Sequence, residues 1–214
     1  MAYKVFLSPS SQFNNVYAYG DTNEGTQCCR IADACKRALE RCGFEVVCDK
    51  THSMEERVAE SNRWGADLHL PIHTNAYNGK VAGTRIFTYA KPSASWDCAL
   101  AIFNKLAPIT PGTSENIKTY PGLYELRKAN KLAVYCECDF HDVPEVARWI
   151  IDHVEDIGEA IAKGVCDYFK VSYVEPGAEK LYHVQVGAFK KKENAEKFLQ
   201  QVQVDYPDAF IKYY

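Results

Sequence analysis

The feature that most limits how this chain can fold is the alternation, through its first 170 residues, of short apolar runs with stretches of helical period. Val5 to Leu7 opens the series as a strand. Residues 24–42 then place Cys28, Ile31, Ala32, Cys35, Ala38, Leu39 and Cys42 on one stripe, and Gly43 stands where a helix C-cap belongs. Residues 44–48 read as a second strand, Met54 to Trp64 as a helix, Asp67 to His73 as a strand, and 83–89, rich in β-branched and aromatic residues, as another. Ser95 to Leu106 is helical again, 107–120 with Pro108 and Pro111 reads as a surface loop, Leu132 to Cys136 as a strand, and 145–171 as a helix broken at Gly164. This order predicts an α/β fold: a mostly parallel twisted sheet flanked by helices on both faces. Around Ser172 to Gly177 the composition turns to that of a linker, which divides a unit at 1–174 from one at 180–214. In the second unit Leu181 to Phe189 alternates as a strand, Lys190 to Val204 puts Ala195, Phe198, Leu199 and Val202 on a helical stripe, and Phe210 to Tyr214 reads as a last strand. That makes a small βαβ unit.

Several classes of function are disfavoured by bulk properties. A net charge of −3 supplies no long basic surface, so nucleic acid is not the expected partner. No stretch approaches the roughly 20 apolar residues that span a bilayer, so no membrane role is expected. The opening Met-Ala-Tyr-Lys-Val-Phe-Leu-Ser-Pro reads as a strand entering a loop rather than a signal peptide, which predicts synthesis in the cytoplasm. The nine cysteines lack zinc-finger spacing and fall on helix stripes and strands, the pattern of reduced, mostly buried thiols.

Chemistry-bearing side chains gather at strand exits, where open α/β sheets build their sites. In Asp67-Leu-His-Leu-Pro-Ile-His, residues 69, 71 and 73 share one face, so His73 ends the strand at the crevice, followed by Thr74 and Asn75. Neutral imidazole fixed at a strand end is a good zinc ligand, although a lone histidine there is more often structural. His69, four residues earlier on the same face and deeper, reads as a hydrogen-bonded buried histidine. Glu24 opens the first helix on its inward stripe and gains from the helix dipole. Glu137 emerges from the apolar run Leu132-Ala-Val-Tyr-Cys, where poor solvation raises a carboxyl pKa toward that of a general base. Taken singly, each acid is as readily structural.

Together these segments carry a resemblance. Asn62-Arg-Trp-Gly-Ala-Asp-Leu-His-Leu-Pro-Ile-His-Thr-Asn-Ala resembles the histidine-bearing signature of the amidase-3 family of N-acetylmuramoyl-L-alanine amidases. Ala133-Val-Tyr-Cys-Glu-Cys-Asp-Phe is similar to that family's strand with the catalytic glutamate, and Glu24 before its long helix to the glutamate ligand. The resemblance spans roughly residues 3–170 and implies a peptidoglycan substrate, a Zn2+ cofactor held by Glu24 and His73, and Glu137 as the base. It also implies that Thr74 and Asn75 border the substrate. His141 is a candidate for oxyanion stabilisation or a plain loop histidine. Where the family reads aspartate, proline, glycine, histidine, glycine, this chain has Ser8-Pro9-Ser10-Ser11-Gln12, so Gln12 or Ser11 takes the place of the first histidine ligand. Gln12 is the better candidate by reach, and His69 or His141 are the alternatives for completing the site. Since an amide oxygen is a poor zinc ligand, weaker zinc binding than in relatives is expected.

Tyr182-His-Val-Gln-Val-Gly-Ala-Phe followed by Asn194-Ala-Glu looks like the start of a sporulation-related repeat, which implies peptidoglycan binding. The residues supply only half of such a repeat, so a homodimer pairing two tails about a two-fold axis is expected. Three functions stay open: an active amidase of an autolysin or phage endolysin acting on the wall after release; a metal-free relative that only binds the wall; and a zinc hydrolase of another amide.

Overall fold

The computed structural model describes residues 2–177, 186–206 and 209–211. They form two compact units, Met1–Pro176 and Gly177–Tyr214, each described by itself.

In the first unit, strand β1 (Lys4–Pro9) leads to helix α1 (Glu24–Arg41), β2 (Glu45–Cys48), α2 (Met54–Trp64), β3 (Leu68–Asn75) and β4 (Arg85–Thr88). Then come α3 (Ala94–Leu106), β5 (Asn116–Thr119), α4 (Tyr124–Lys128), β6 (Leu132–Ala133), β7 (Tyr135–Phe140), α5 (Pro144–Asp152) and α6 (Val154–Phe169). The strands make one sheet in the order β2-β1-β3-β7-β4-β5, with β6 also paired to β3. Every pairing is parallel except that of β4 with β7. The exception has a simple cause: a parallel return needs a crossover of about a dozen residues or more, and 76–84 is too short for one.

Alternation along the strands gives the sheet two unlike faces. Val5, Leu7, Leu68, Leu70, Ile72, Ile86 and Cys136 enter the main core with residues of α1, α3 and α6. The opposite face holds a smaller cluster of Leu126, Ala133 and Tyr135, with Phe87 and Leu123 packed against it. Helices α2 and α4 touch each other, and α2 also touches β1. The mostly parallel α/β sheet expected from the sequence is therefore the fold observed.

Two local expectations change, and that for the cysteines holds. The 107–120 segment contains β5 as well as a 3-10 turn at Ala107–Ile109. The helix expected over 145–171 breaks at His153 (φ −121°, ψ 25°), not at Gly164. Gly164 instead lets α6 approach α3, because a Cβ there would lie 2.3 Å from the Ile102 Cα. The cysteines are all free thiols, and burial pushes that of Cys48 up to about 11.

In the second unit, α7 spans Lys192–Val202, inside the helix expected at 190–204. The strands expected at 181–189 and 210–214 lie partly outside the described residues, and with them the pairing surface of the expected homodimer.

Candidate active site

The site is assembled by the loop between β1 and α1. Its start is tied to β3 by Ser10 N donating to Ile72 O at 2.9 Å. Its end is tied by the N-cap, where the Asn23 side chain accepts from Thr26 N. Between them, Glu24 N donates to Asn15 O at 2.9 Å and Gly25 N to Gln12 O at 3.2 Å, so the loop folds back on the first turn of α1. Glu24 is thereby buried, and its Oε1 lies 2.8 Å from His73 Nδ1 at the end of β3. Asn15 Nδ2 donates to Glu24 Oε2 at 2.7 Å and to Gln12 Oε1 at 2.9 Å. Gln12 Nε2 stands 3.4 Å from Glu24 Oε1 and 3.5 Å from His73 Nδ1.

The electrostatics of the pair agree from both sides. Burial works to raise the Glu24 pKa, but hydrogen bonds from His73, Asn15 and Ser10 hold it below the usual carboxylate range. Burial works to lower the His73 pKa, but the Glu24 bond and the charges of Glu137, Glu24 and Glu125 raise it. The Tyr135 ring stacks on His73 with centroids 4.6 Å apart.

Glu137 lies on β7 directly opposite His73 in the parallel register. Its Oε2 is buried without a hydrogen-bond partner. Burial pushes its pKa up to about 7, with His73 opposing and Glu24 adding to the rise. A carboxyl that changes charge near neutrality beside a histidine is suited to taking up and returning a proton.

Does this donor set suit a metal? Glu24 and His73 are zinc-type donors whose Oε1 and Nδ1 atoms lie 2.8 Å apart, and the unbonded Glu137 Oε2 suits a base beside them. Among the described residues there is no group of three or more His, Cys, Asp or Glu placed to hold an ion. Of the expected third donors, Gln12 has its side chain beside the pair, with its oxygen engaged by Asn15. Exchanging the Gln12 oxygen and nitrogen would set two NH2 groups face to face, and turning Asn15 as well would break its bond to Glu24. The residues therefore fit zinc at Glu24 and His73, with Gln12 joining only after it releases Asn15.

The remaining expected residues separate. Asn75 is half-buried at the strand end, its Oδ1 accepting from Ala76 N at 2.8 Å. Thr74 and His141 are a correction to the expectation that they face substrate: they are 2 % and 3 % exposed. Thr74 Oγ1 lies 2.9 Å from both Tyr17 OH and His141 Nδ1, and the Tyr17 and His141 rings stack at 4.8 Å. Thr74 points to the opposite face from His73, as strand alternation requires, and the trio pins the loop to the sheet. His69 does not complete a metal site either: its Nε2 lies 3.1 Å from Glu125 Oε1, which also accepts from Ser8 Oγ at 2.6 Å. Sequence reading missed Asn15, Tyr17, Ser8 and Glu125. Only Tyr135, two before Glu137 on a strand, was within reach of a period-2 argument.

The N-acetylmuramoyl-L-alanine amidase model matches residues 12–167, and a SPOR domain model matches 162–213, reaching into the last turns of α6. Amidase CwlM of Bacillus licheniformis is 28% identical over 167 residues, covering 77% of this chain but only 64% of that protein. A sporulation-specific N-acetylmuramoyl-L-alanine amidase of Bacillus subtilis is 24% identical over 217 residues, 97% of this chain and 84% of that one. Among solved structures, the catalytic domain of the Paenibacillus polymyxa amidase CwlV superposes with a TM-score of 0.72 at 21% identity over 79% of this chain and 99% of its own. Cwp6 of Clostridium difficile gives 0.70 at 26%, over 78% of this chain and 29% of its own. With the family model matching residues 12–167, most of the site-bearing unit, the chain belongs to the N-acetylmuramoyl-L-alanine amidase family.

Proposed function

We propose that this protein is a zinc-dependent amidase that hydrolyses the bond between N-acetylmuramic acid and the L-alanine of the peptidoglycan stem. The observation that carries the reading is the Glu24–His73 pair facing, across one strand spacing, a buried carboxylate with an unbonded oxygen. Glu24 and His73 hold the ion, with Gln12 as the third donor once it turns. Zinc, when bound, supplies Lewis acidity to water and to the scissile carbonyl. Glu137 Oε2, buried without a hydrogen-bond partner, accepts the proton of the attacking water and returns it to the leaving amine of L-alanine. Tyr135 keeps the His73 ring from rotating.

The SPOR match and the relatives named as amidases support a wall substrate. A role as autolysin or endolysin, action on the wall after release from the cytoplasm, and pairing of two tails into a homodimer are parts of the same proposal. Light scattering on the full chain and on a chain ending at Pro176 tests the last: a dimer that becomes monomeric on truncation supports it, and a monomer in both removes it.

A second reading rests on the Asn15 lock: with Gln12 held as a donor toward Glu24, the protein is a metal-free wall-binding relative. Zinc content of the purified protein, together with the appearance of free N-terminal alanine on digested cell wall, decides. The proposed function requires about one zinc per chain and new alanine termini. Wall binding by a zinc-free protein without new termini would favour the second reading.

A further inference from the structure

The registers place four polar side chains in a single row across the sheet. His73 on β3 is opposite Glu137 on β7, Glu137 is opposite Arg85 on β4, and Arg85 is opposite Asn116 on β5. Directly paired residues project from the same face, so the row starts at the metal-ligand candidate and runs away from it. All four are half-buried, whereas Ile72, Cys136 and Ile86, which precede or follow them on three of these strands, are fully buried on the other face.

Three consecutive members of the row carry an unsatisfied buried atom: Glu137 Oε2, Arg85 NH1 and Asn116 Oδ1 have no hydrogen-bond partner. Such groups are uncommon in folded proteins, and each costs free energy. Glu137 is accounted for by its role as base. Arg85 and Asn116 are not. Arg85 NH2 donates to the Ser114 hydroxyl at 2.9 Å, and its guanidinium lies 5.4 Å from the centre of the Phe140 ring. Both partners are neutral, and no salt bridge to Arg85 occurs among the described residues. A partly desolvated guanidinium that makes no salt bridge, even with Glu137 opposite it on the neighbouring strand, is arranged for an anion that arrives.

We infer that Arg85 and Asn116 form the binding subsite for the peptide side of the scissile amide, with Arg85 taking a carboxylate borne by the residue next to L-alanine. The identity of the peptide rests on the amidase function proposed above. Adjacent strands are about 4.8 Å apart, so Arg85 stands one spacing, and Asn116 two spacings, beyond Glu137. An extended peptide advances about 3.4 Å per residue, which brings the second stem residue level with Arg85 when the amide nitrogen of L-alanine is at Glu137. That residue is glutamate linked through its side chain, and its α-carboxyl is either free or amidated. The guanidinium distinguishes the two: it forms a charge-assisted pair with the carboxylate, whereas the amide's own NH2 meets a donor. Asn116 Oδ1 then accepts a peptide N–H further along. The floor beside this row is apolar, with Tyr135 opposite Phe87 and Phe87 packed at 5.6 Å against the exposed ring of Tyr120.

The test uses two probes, MurNAc-L-Ala-D-Glu and the same compound with D-isoglutamine, with the full chain. Affinity is measured by calorimetry in a Glu137→Gln background, which removes turnover, and kcat/KM is measured in the parent. The free carboxylate should bind at least about 10-fold more tightly than the amide, the scale of a hydrogen bond to a charged group. Arg85→Gln should abolish that preference, and Arg85→Lys, which keeps the charge but not the fork, should retain part of it. Thermal melts of each variant confirm folding. Equal affinity for the two probes, no measurable binding of either, or a preference that survives Arg85→Gln overturns the subsite. Cleavage of neither probe with the binding preference intact removes the amidase reading and leaves the subsite. Cleavage of both at equal kcat/KM with equal affinity removes the subsite and leaves the amidase.

Discussion

The two faces of one sheet, built from alternate residues of the same strands, are held together by opposite means. On the α1–α3–α6 face, Leu7, Leu68, Leu70, Ile72 and Cys136 are fully buried hydrophobic side chains. On the other, Ser8 and His69 are buried and His73, Glu137 and Arg85 half-buried polar side chains, and His69 Nδ1, Glu137 Oε2 and Arg85 NH1 are left without partners. The first face satisfies every demand of folding. The second leaves demands that a metal and a substrate can satisfy, which is how a site can coexist with a stable core one residue away along the same strands.

The largest expected effect breaks the dry face. Leu70→Ala removes a fully buried side chain from the main core and should cost about 2–5 kcal/mol in denaturant unfolding. A loss below 1 kcal/mol would mean that the site face shares the structural load.

Next is Glu137→Gln, which should move activity and stability in opposite directions. Turnover on purified cell wall should fall by roughly 100-fold or more, the contribution of a general base. Stability follows from the raised pKa. The folded state holds the Glu137 proton up to about pH 7, whereas the unfolded chain releases it near the ordinary carboxyl value, so ionisation destabilises the fold progressively above that value and fully above pH 7. The glutamine variant has no such cost. Metal-free Glu137→Gln should therefore unfold later than the parent at pH 8, by on the order of 1–3 kcal/mol, with the advantage gone by about pH 4. An advantage that grew as pH fell would contradict the assignment.

A smaller effect sharpens the metal side of the comparison. Gln12→His replaces an amide held by Asn15 with an imidazole, and should tighten zinc by on the order of tenfold, the scale of single changes around metal sites. Chelator competition reports it. Unchanged affinity would place Gln12 outside the ligand set.

How much of this was legible in the sequence differs between the faces for the same reason. The core face announces itself, because apolar residues at period 2 in strands and 3.6 in helices are a local signal; Cys28, Ile31, Cys35 and Leu39 located α1 almost to the residue. Short elements were lost: β5 has four residues inside a proline-containing loop and α4 has five, too few for either period to show. Glu24 and His73 could be singled out because each sits at or near the end of an element; Glu137 was singled out as leaving a strand that ends at Cys136, whereas it lies inside β7, Tyr135–Phe140. The Ser8–Glu125–His69 cluster could not, since its partners are 117 and 56 residues apart and only the fold joins them. The same holds for Arg85, whose place beside Glu137 depends on β4 running antiparallel, a fact of topology that no window of sequence carries.

The smallest expected effect concerns the pins between the faces. Tyr17, Thr74 and His141 form one chain of hydrogen bonds through the Thr74 hydroxyl, which bonds to both neighbours. In Tyr17→Phe, Thr74 keeps its bond to His141 and loses the one to Tyr17, a cost of about 0.5–1.5 kcal/mol. In Thr74→Val both neighbours lose their partner, so the cost should be larger. The double variant should cost no more than Thr74→Val alone, because the phenol removed has already lost its partner. Additive costs would show that Tyr17 and Thr74 act independently, with Tyr17 holding the loop through its stacking on His141 rather than through the chain of hydroxyls.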